Sequence, residues 1–323
     1  MQKNLAFYGC KAARVHDAAA LLRALDEADG DAALVAQRLG APEEHEAGFE
    51  LAGTALTAAA VLHEQSELHH AGALADTHFV AGLAVKRSHE RLLAEAVVHA
   101  HAHRLCPGHV AAIHGLVTAA GRESCALVTR HAGVDGYRLL RDGPSYGEAL
   151  EWLEQVARCV SVLGAAGIMH GDLKLNNTCR DDGGTWRVID FGLAMLAMES
   201  GRLCDTPYIY GEHAAMNTSF DLRVLLWSCI LHSKSKGPWG FWSSRFECEY
   251  ASAWELALRA RRAHPRDRGK AMTRALHAMY RPVCARHDAE FEPLRVLETL
   301  RILREAHARA EAERDGEPDA PGG

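Results

Sequence analysis

Two polar motifs in the middle of the chain constrain its fold and chemistry more than any other feature. The first is H-G-D-L-K-L-N-N at residues 170–177, and the second is D-F-G at residues 190–192. A lone D-F-G is weak evidence because the triplet occurs by chance in many loops. Here a candidate base, a cation and two candidate metal ligands lie within residues 170–192. This order and closeness predict one functional site rather than two unrelated polar loops.

The pattern H-x-D-x-K-x-x-N followed by D-F-G resembles the catalytic and metal-binding loops of the protein kinase superfamily. The resemblance implies transfer of the γ-phosphate of ATP, with Mg²⁺ to offset charge on the phosphate oxygens. It implies that Asp172 orients and deprotonates the acceptor hydroxyl, and that Lys174 lies beside the γ-phosphate. Asn177 and Asp190 would hold Mg²⁺ through hard oxygen ligands.

The segment Leu83-Ala84-Val85-Lys86 resembles the V-A-I-K strand of the same family. Lys86 would then hold the α- and β-phosphates of ATP as a point charge. We expect Glu95 to pair with it, because the turn C-P-G-H-V at residues 106–110 follows Glu95 as H-P-N-[IL]-V follows the family's helix. Glu90 is the alternative. The short separation from Lys86 requires a helix that begins early or is truncated.

The phosphate-covering loop departs most from the family pattern. Its best candidate is G-T-A-L-T-A-A-A at residues 53–60, which has one glycine where the family has three. Gly53 would let backbone N–H groups approach phosphate oxygens. An insertion before Lys86 holds His63, Glu64, Glu67, His69, His70 and His78. Their spacing matches no usual metal site, so a solvated loop is favoured over metal binding.

The segment L-V-T-R-H-A at residues 127–132 resembles the last small-lobe strand entering the hinge. Adenine would hydrogen-bond to backbone around Arg130 to Ala132, and Thr129 would lie at the back of the pocket. An ordinary strand end is the alternative.

The resemblance implies an α+β, bilobal protein-kinase-like fold, with a small β-rich N-lobe containing one main helix and a larger, mostly helical C-lobe. We predict a helical N-terminal extension at 1–48, the ATP-binding N-lobe at 49–131, the C-lobe at 132–310 and a disordered acidic tail at 311–323. Predicted strands are two around a turn within 49–62, then 79–86, 110–117 and 125–129. Predicted helices are 88–105, 146–166, 220–231 and several between 251 and 310.

The N-terminal extension is rich in Ala and Leu with helical periodicity over residues 13–40. Asp31 is a candidate cap of its second helix, which would end near Gly40. These helices either pack against the small lobe, which is favoured, or dock a partner.

Several residues bear on the subclass of kinase and on its regulation. Lys174 favours transfer to Ser/Thr over Tyr, and the implied partner is a protein substrate carrying Ser or Thr. Position 171 is Gly where most regulated kinases carry Arg, so phosphorylation at Thr206, Tyr208 or Tyr210 is not expected to be required for activity.

Tyr210-Gly211-Glu212 is the only candidate for the family's A-P-E motif, and Asp221 resembles the aspartate that anchors the catalytic loop. The short segment and the F-D-L-R-x-L helix are reminiscent of kinases of large DNA viruses.

Composition excludes several classes of protein. A net charge of −6 and a pI of about 6.4 provide no electrostatic footprint for nucleic acid. Nine cysteines without a C-x-x-C pair indicate free thiols in a reducing compartment. No signal peptide or membrane span is evident, so we expect an intracellular protein, in the cytoplasm or nucleus, of a host cell if the chain is viral.

Two other functions remain open. His-Gly-Asp is common in aminoglycoside-type and lipopolysaccharide-type kinases, and the triplet also occurs in the small atypical kinase of the KEOPS complex, which usually lacks the lysine seen as Lys174. A small-molecule phosphotransferase is therefore one alternative. The second alternative is a pseudokinase, a binding module with little turnover, because the candidate phosphate-covering loop has only one glycine.

Overall fold

The computed structural model describes most of the chain between Ala13 and Gly316. The described residues are 13–39, 43–45, 49–51, 53–57, 61–62, 69–71, 76–88, 92–119, 125–204, 218–233, 237–249, 252, 255–256, 258–259 and 288–316. The chain divides into two compact units. The first, the sheet unit, comprises Met1–Gly133, Val162–Asp172 and Cys179–Met216; the second, the helical unit, comprises Val134–Ser161, Leu173–Thr178 and Asn217–Gly323. The prediction of a mixed α+β fold is confirmed.

The sheet unit is built on seven antiparallel strands. The strands are β1 (Ala13–Asp17), β2 (Glu43–His45), β5 (His69–Ala71), β6 (Asp76–Val80), β7 (Leu83–Ser88), β8 (Ile113–Ala119) and β9 (Cys125–Arg130). Their spatial order is β2-β1-β8-β9-β7-β6-β5. Strand β7, which carries Lys86, lies inside this sheet between β6 and β9, so both its edges are hydrogen-bonded and its position is well defined.

The apolar run over residues 79–86 forms a hairpin, and the prediction of one strand there is wrong. Val80 pairs with Leu83 across a two-residue turn at Ala81-Gly82. Both turn residues have positive φ, 48° for Ala81 and 80° for Gly82, which is the twist that a tight hairpin requires. The glycine carries this conformation without strain, so A-G was the turn signal within the run.

The N-terminal extension is not purely helical as predicted, because residues 13–17 form β1. This strand pairs with β8 over its whole length, and Ala13 and His16 are its buried residues. Helix α1 (Ala18–Glu27) follows at once, with Asp17 accepting a hydrogen bond from the backbone N–H of Ala20 at 2.7 Å. Helix α2 (Val35–Arg38) is short. Asp31 does not cap it; its side chain accepts from the N–H of Ala33 in the preceding turn.

A separate hairpin joins β3 (Phe49–Leu51) to β4 (Thr54–Leu56), as two short strands around a turn were predicted here. Gly53 lies in that turn with φ 74°. Phe49, Leu51 and Leu56 pack in one apolar core with buried side chains of the seven-stranded sheet.

Helix α3 (Leu93–Leu105) carries Glu95 and is buried almost all round. The predicted start at Ser88 is wrong, since Ser88 still pairs with Cys125 in the sheet. The smaller strands of the sheet unit follow later in the chain. Strand β11 (Ile168–Met169) pairs with β14 (Met195–Met198), which pairs with β15 (Gly201–Leu203). Strand β12 (Thr178–Arg180) lies beside β13 (Trp186–Val188).

The helical unit contains helices α4 (Gly136–Asp142), α6 (Phe220–His232), α7 (Ser243–Glu249) and α8 (Pro293–Gly316), the two-residue strand β10 (Val134–Asp135), and α5 (Tyr146–Ala165) up to Ser161. Three 3₁₀ turns occupy Leu175–Asn177, Pro238–Trp242 and Ala289–Phe291. Helix α5 begins with a capping box in which Ser145 and Glu148 exchange hydrogen bonds. Helix α6 is buried as predicted, and its Trp227 packs with Phe246.

The C-terminal end differs from its prediction of disorder over 311–323. Helix α8 continues to Gly316, while residues 317–323 lie outside the described residues. Ion pairs of Arg301 with Glu305 and of Arg304 with Glu154 line this polar helix. Among the described residues, no helix combines the length and apolarity needed to cross a bilayer.

Candidate active site

Lys86 is the centre of a three-residue ion-pair cluster in the sheet unit. Its Nζ lies 2.8 and 2.9 Å from the two carboxylate oxygens of Glu95 and 2.7 Å from Oδ1 of Asp190. The side chain of Glu95 is 2% exposed and that of Lys86 is 20% exposed, while Asp190 is 41% exposed. One carboxylate is therefore held inside the unit, and the other faces solvent.

The charge of Lys86 is maintained by these two carboxylates. Burial by itself lowers the pKa of Lys86, but Asp190 and then Glu95 raise the pKa by more, and the net effect is a pKa above the usual value. The ammonium group is therefore a permanent cation between two anions. A second anion, such as a phosphate, can compete with Asp190 for it.

The pairing of Lys86 with Glu95, predicted from the sequence, is present in the structure. Strand β7 ends at Ser88 and α3 begins at Leu93, only two residues before Glu95. The helix is thus truncated at its start, which is how a nine-residue separation can form the pair. The alternative, Glu90, lies outside the described residues.

The backbone at Asp190 and Gly192 lies close to the ion-pair cluster. Asp190 has φ 62°, a left-handed conformation that is uncommon for residues other than glycine and that recurs at functional sites. A Cβ on Gly192 would lie 2.8 Å from Nζ of Lys86 and 3.2 Å from Oε2 of Glu95. Glycine is needed at position 192 because a side chain would enter the ion-pair cluster.

A group of three contacting rings includes Phe191 of the second motif, and sequence reasoning missed it. The ring of Phe191 lies 4.7 Å from that of His99 and 4.9 Å from that of His170. His99 follows Glu95 by four residues, so both lie on one face of α3. That i, i+4 spacing was the available signal, but nothing in the sequence identified Phe191 as its partner.

His170 connects the two motifs through its imidazole nitrogens. The backbone N–H of Asp172 donates to Nδ1 at 3.3 Å, so Nε2 carries the proton and donates to the carbonyl of Ile189 at 2.9 Å. The residue before Asp190 and the backbone of Asp172 are thereby held by one ring. Gly171 between them has φ 81°, a conformation that glycine adopts without strain.

His99 is a buried neutral imidazole. Its Nε2 donates to the carbonyl of Ala111 at 2.8 Å, and within the described part of the chain its Nδ1 has no hydrogen-bond partner. Burial lowers the pKa of His99 to about 4, an effect that the Ala111 carbonyl only partly opposes. Nearby His103, His170 and Lys86 lower it further.

This histidine should make the fold acid-sensitive. The folded protein holds His99 neutral down to about pH 4, whereas the unfolded chain takes up the proton near 6.5, so the unfolded state binds more protons between these values. Lowering the pH from about 7.5 to about 5 is expected to cost about 2 kcal/mol of unfolding free energy through His99 alone. Urea unfolding of wild type and His99→Phe at both pH values measures this difference. An equal loss of stability in the two proteins would contradict it.

The other polar residues of the first motif are placed as follows. Asp172 belongs to the sheet unit and is 8% exposed. Lys174 and Asn177 belong to the helical unit, where Asn177 is 4% exposed at the end of a 3₁₀ turn. The backbone N–H of Leu175 in this turn donates to the hydroxyl of Ser228 on α6 at 3.4 Å. The first motif is therefore braced separately within each unit.

The predicted adenine-side residues lie at the end of β9. Thr129 is half-buried, and its hydroxyl donates to the carbonyl of Ala84 at 3.4 Å. The N–H of Arg130 donates to the carbonyl of Ala112 at 2.8 Å, and that of His131 to Gly82 at 3.0 Å. Ala132 is buried in a small apolar cluster.

The remaining predicted residues fall into three groups. Gly53 lies in its hairpin turn, with no heavy atom within 4 Å of an added Cβ. Asp221 is 4% exposed in the first turn of α6. Thr206, Tyr208, Tyr210 and Glu212 lie outside the described residues.

The histidine-rich insertion is only partly a loop. His69 pairs with His78 across β5 and β6, and the fully buried His78 accepts a hydrogen bond from Nε of Arg87 at 3.0 Å. His63, Glu64 and Glu67 lie outside the described residues. Within the described part of the chain, no group of three or more His, Cys, Asp or Glu side chains is arranged to hold a metal ion.

Comparison with known proteins agrees with these motifs. No protein-family model matches the chain. The chain is 31% identical over 140 residues to CBL-interacting protein kinase 25 of Oryza sativa subsp. japonica, covering 39% of this chain and 27% of that kinase. It is 28% identical over 120 residues to the mitogen-activated protein kinase HOG1 of Torulaspora delbrueckii, covering 36% of this chain and 28% of that kinase. The chain thus spans under a third of the length of each relative.

Three findings agree with one another. The two polar motifs are present in order, the lysine–glutamate pair is formed, and the two relatives named above are protein kinases. Over about a third of its length, the chain is therefore similar to Ser/Thr protein kinases.

Proposed function

We propose that the chain is an ATP-dependent Ser/Thr protein kinase that transfers the γ-phosphate to protein hydroxyls with Mg²⁺. The observation that carries this proposal is the ion-pair cluster of Lys86, Glu95 and Asp190. A buried glutamate orients a permanent cation toward an exposed aspartate, and this arrangement suits a polyphosphate with its metal. A structural ion pair alone has no need of a strained aspartate that faces solvent.

Nucleotide binding would begin with Lys86. Its ammonium group would turn from Asp190 to the α- and β-phosphates while Glu95 keeps it in place. Because the backbone N–H groups of Arg130 and His131 are already engaged, the hydrogen bond to adenine would be made by Ala132. Gly53 would let its hairpin turn approach the phosphates.

The residues present fit Mg²⁺. This ion prefers oxygen ligands and is usually held by one or two carboxylates and substrate phosphates, and does not need a cage made only of protein side chains. Asp190 and Asn177 are the residues whose side-chain oxygens would hold it. The bound ion would offset charge on the transferring phosphoryl group.

Asp172 would act on the acceptor. The carboxylate of Asp172 would orient the substrate hydroxyl and accept the hydroxyl proton. The hydrogen bond from the Asp172 backbone N–H to His170 would hold Asp172 in position. Lys174 would neutralise charge at the γ-phosphate. The presence of this lysine supports Ser/Thr as the acceptor class.

The experiment is incubation with radiolabelled ATP, a mixed protein substrate and a panel of small hydroxylated compounds. Label on Ser or Thr supports the proposal, and label only on small compounds would replace it with a small-molecule phosphotransferase. ATP binding without any transfer would identify a pseudokinase.

Activity is not expected to require phosphorylation after Gly192. Position 171 is glycine, so the cation that would pair with an activating phosphate is missing from this loop. Treatment with a phosphatase, followed by its removal, should leave the transfer rate unchanged. The triple variant Thr206→Ala, Tyr208→Phe and Tyr210→Phe should behave in the same way. Loss of activity in both experiments would show that a phosphorylated residue is needed.

A further inference from the structure

Helix α1 packs against α3, the helix that carries Glu95. Leu21, Ala24 and Leu25 of α1 are buried. Helix α3 is buried on nearly every face from Ala94 to Ala102. A helix with buried residues all round must pack against other elements on every face. The N-terminal segment, through α1, is one of these elements.

An ion pair connects the ends of these two helices. Nη1 of Arg104, near the end of α3, lies 2.9 and 2.7 Å from the two carboxylate oxygens of Asp26 on α1. The hydrogen bond from Arg104 lowers the pKa of Asp26, so the carboxylate stays charged in neutral solution. The side chains are 38% and 56% exposed, so this pair alone is a weak contact.

The turn after α1 is bonded to the hairpin that follows D-F-G. The hydroxyl of Ser200 donates to Oδ1 of Asp31 at 2.9 Å and accepts from the N–H of Ala32 at 3.2 Å. The N–H of Ser200 donates to the carbonyl of Gly30 at 3.2 Å. A Cβ on Gly30 would lie 3.0 Å from the side chain of Glu199, so the two turns are in close contact.

That hairpin belongs to the sheet that carries both polar motifs. Strand β14 begins three residues after Gly192, and its partner β11 ends immediately before His170. Ser200 lies at the tip of the hairpin, between β14 and β15. A contact at this tip therefore restrains the segment that follows Asp190.

We propose that residues 18–32, the N-terminal clamp, position the catalytic ion-pair cluster from outside. The clamp holds α3 through Asp26 and Arg104, and it holds the hairpin after D-F-G through Asp31 and Ser200. Glu95 and Asp190, the two anions around Lys86, are thus braced by one segment of the same chain. The proposal rests on the proposed kinase function and explains how the cluster is assembled without a phosphorylated residue.

The clamp works because its two weak contacts share one segment. An exposed ion pair or hydrogen bond shifts a local equilibrium by up to about fivefold. Losing one contact should increase local opening of α3 or of the hairpin by about two- to fivefold. Losing both contacts should multiply the two increases in local opening, because neither contact is left to limit the motion.

The test uses Arg104→Ala, Ser200→Ala and the double variant in the full chain. Hydrogen exchange at the amides of residues 93–105 and 195–203 is measured with the KM for ATP and the thermal midpoint. Faster exchange by about two- to fivefold in each single variant is expected, with a larger rise and a higher KM for ATP in the double variant. Ser200→Thr keeps the hydroxyl and should show the wild-type exchange rates and the wild-type KM for ATP. The charge exchange Asp26→Arg with Arg104→Asp should show the same wild-type values.

Arg301→Ala is the matched control, because Arg301 forms an exposed ion pair with Glu305 in α8. It should change neither exchange at residues 93–105 nor the KM for ATP. If Arg104→Ala and Ser200→Ala behave like this control, the clamp proposal is overturned. Faster exchange with an unchanged KM in the double variant also overturns it, since the contacts would then be only structural. If the wild type binds no ATP, the kinase proposal fails, and exchange alone decides whether the clamp holds α3.

Discussion

Asp172→Ala is expected to reduce phosphoryl transfer by about a hundred- to ten-thousandfold while leaving ATP binding nearly unchanged. A positioned general base contributes a factor of this size, and Asp172 is proposed to contact the acceptor hydroxyl and not the nucleotide. Single-turnover transfer of label from ATP measures the chemical step, and displacement of a fluorescent nucleotide measures binding. The two readings separate a lost base from a lost nucleotide site.

Asp182→Ala is the control for this variant. Asp182 lies in the exposed turn between β12 and β13, so its replacement removes the same group at a site without a proposed role. Its transfer rate should equal that of the wild type. Because Asp172 is 8% exposed, the thermal midpoint of Asp172→Ala is checked as well. A folded Asp172→Ala protein with wild-type turnover would remove Asp172 from the mechanism.

Asp190→Asn is expected to reduce Mg²⁺-dependent turnover by about a hundredfold or more, with a smaller effect on nucleotide binding alone. The amide retains the shape of the side chain but loses the charge that a metal ion needs and that Lys86 contacts at 2.7 Å. Turnover is titrated with Mg²⁺, and nucleotide affinity is measured with and without the metal.

A shift of the Mg²⁺ requirement to higher concentration would identify Asp190 as a metal ligand. Asp182→Asn provides the matched control and should follow the wild-type titration. Equal turnover of Asp190→Asn and wild type at every Mg²⁺ concentration would contradict the metal-ligand role. The loss of one partner should leave Lys86 paired with Glu95, whose two carboxylate oxygens also contact its ammonium group.

Much of the fold was predictable from local patterns. The runs at 125–129, 146–166 and 220–231 predicted a strand and two helices that the structure contains within a residue or so at each end. These elements have strong apolar periodicity or continuous burial, and few competing conformations suit them. The hairpin at residues 76–88 was mistaken for one strand because its two-residue turn interrupts the apolar run so briefly.

The pairing of Lys86 with Glu95 was also predictable, for a different reason, whereas the contact of Lys86 with Asp190 was not predicted. Lys86 and Glu95 were identified through motifs that surround them, and the chemistry of phosphate binding requires a cation with a stable orientation. Gly192 was found as part of D-F-G, but its steric reason, the 2.8 Å approach to Lys86, requires coordinates. The truncated start of α3 was anticipated as one of two ways to reach so short a separation.

By itself, the sequence determined which chemical groups the proposed site contains, because residue type and spacing within residues 170–192 identify a candidate base, a cation and two candidate metal ligands. Only the tertiary structure decided what holds those groups in place. The contact of Ser200 with Asp31 joins residues 169 positions apart, and the ring of Phe191 meets His99 from another part of the chain. Such contacts leave no periodic signal along the sequence, since they arise from how the sheet and helices pack and not from local backbone preference.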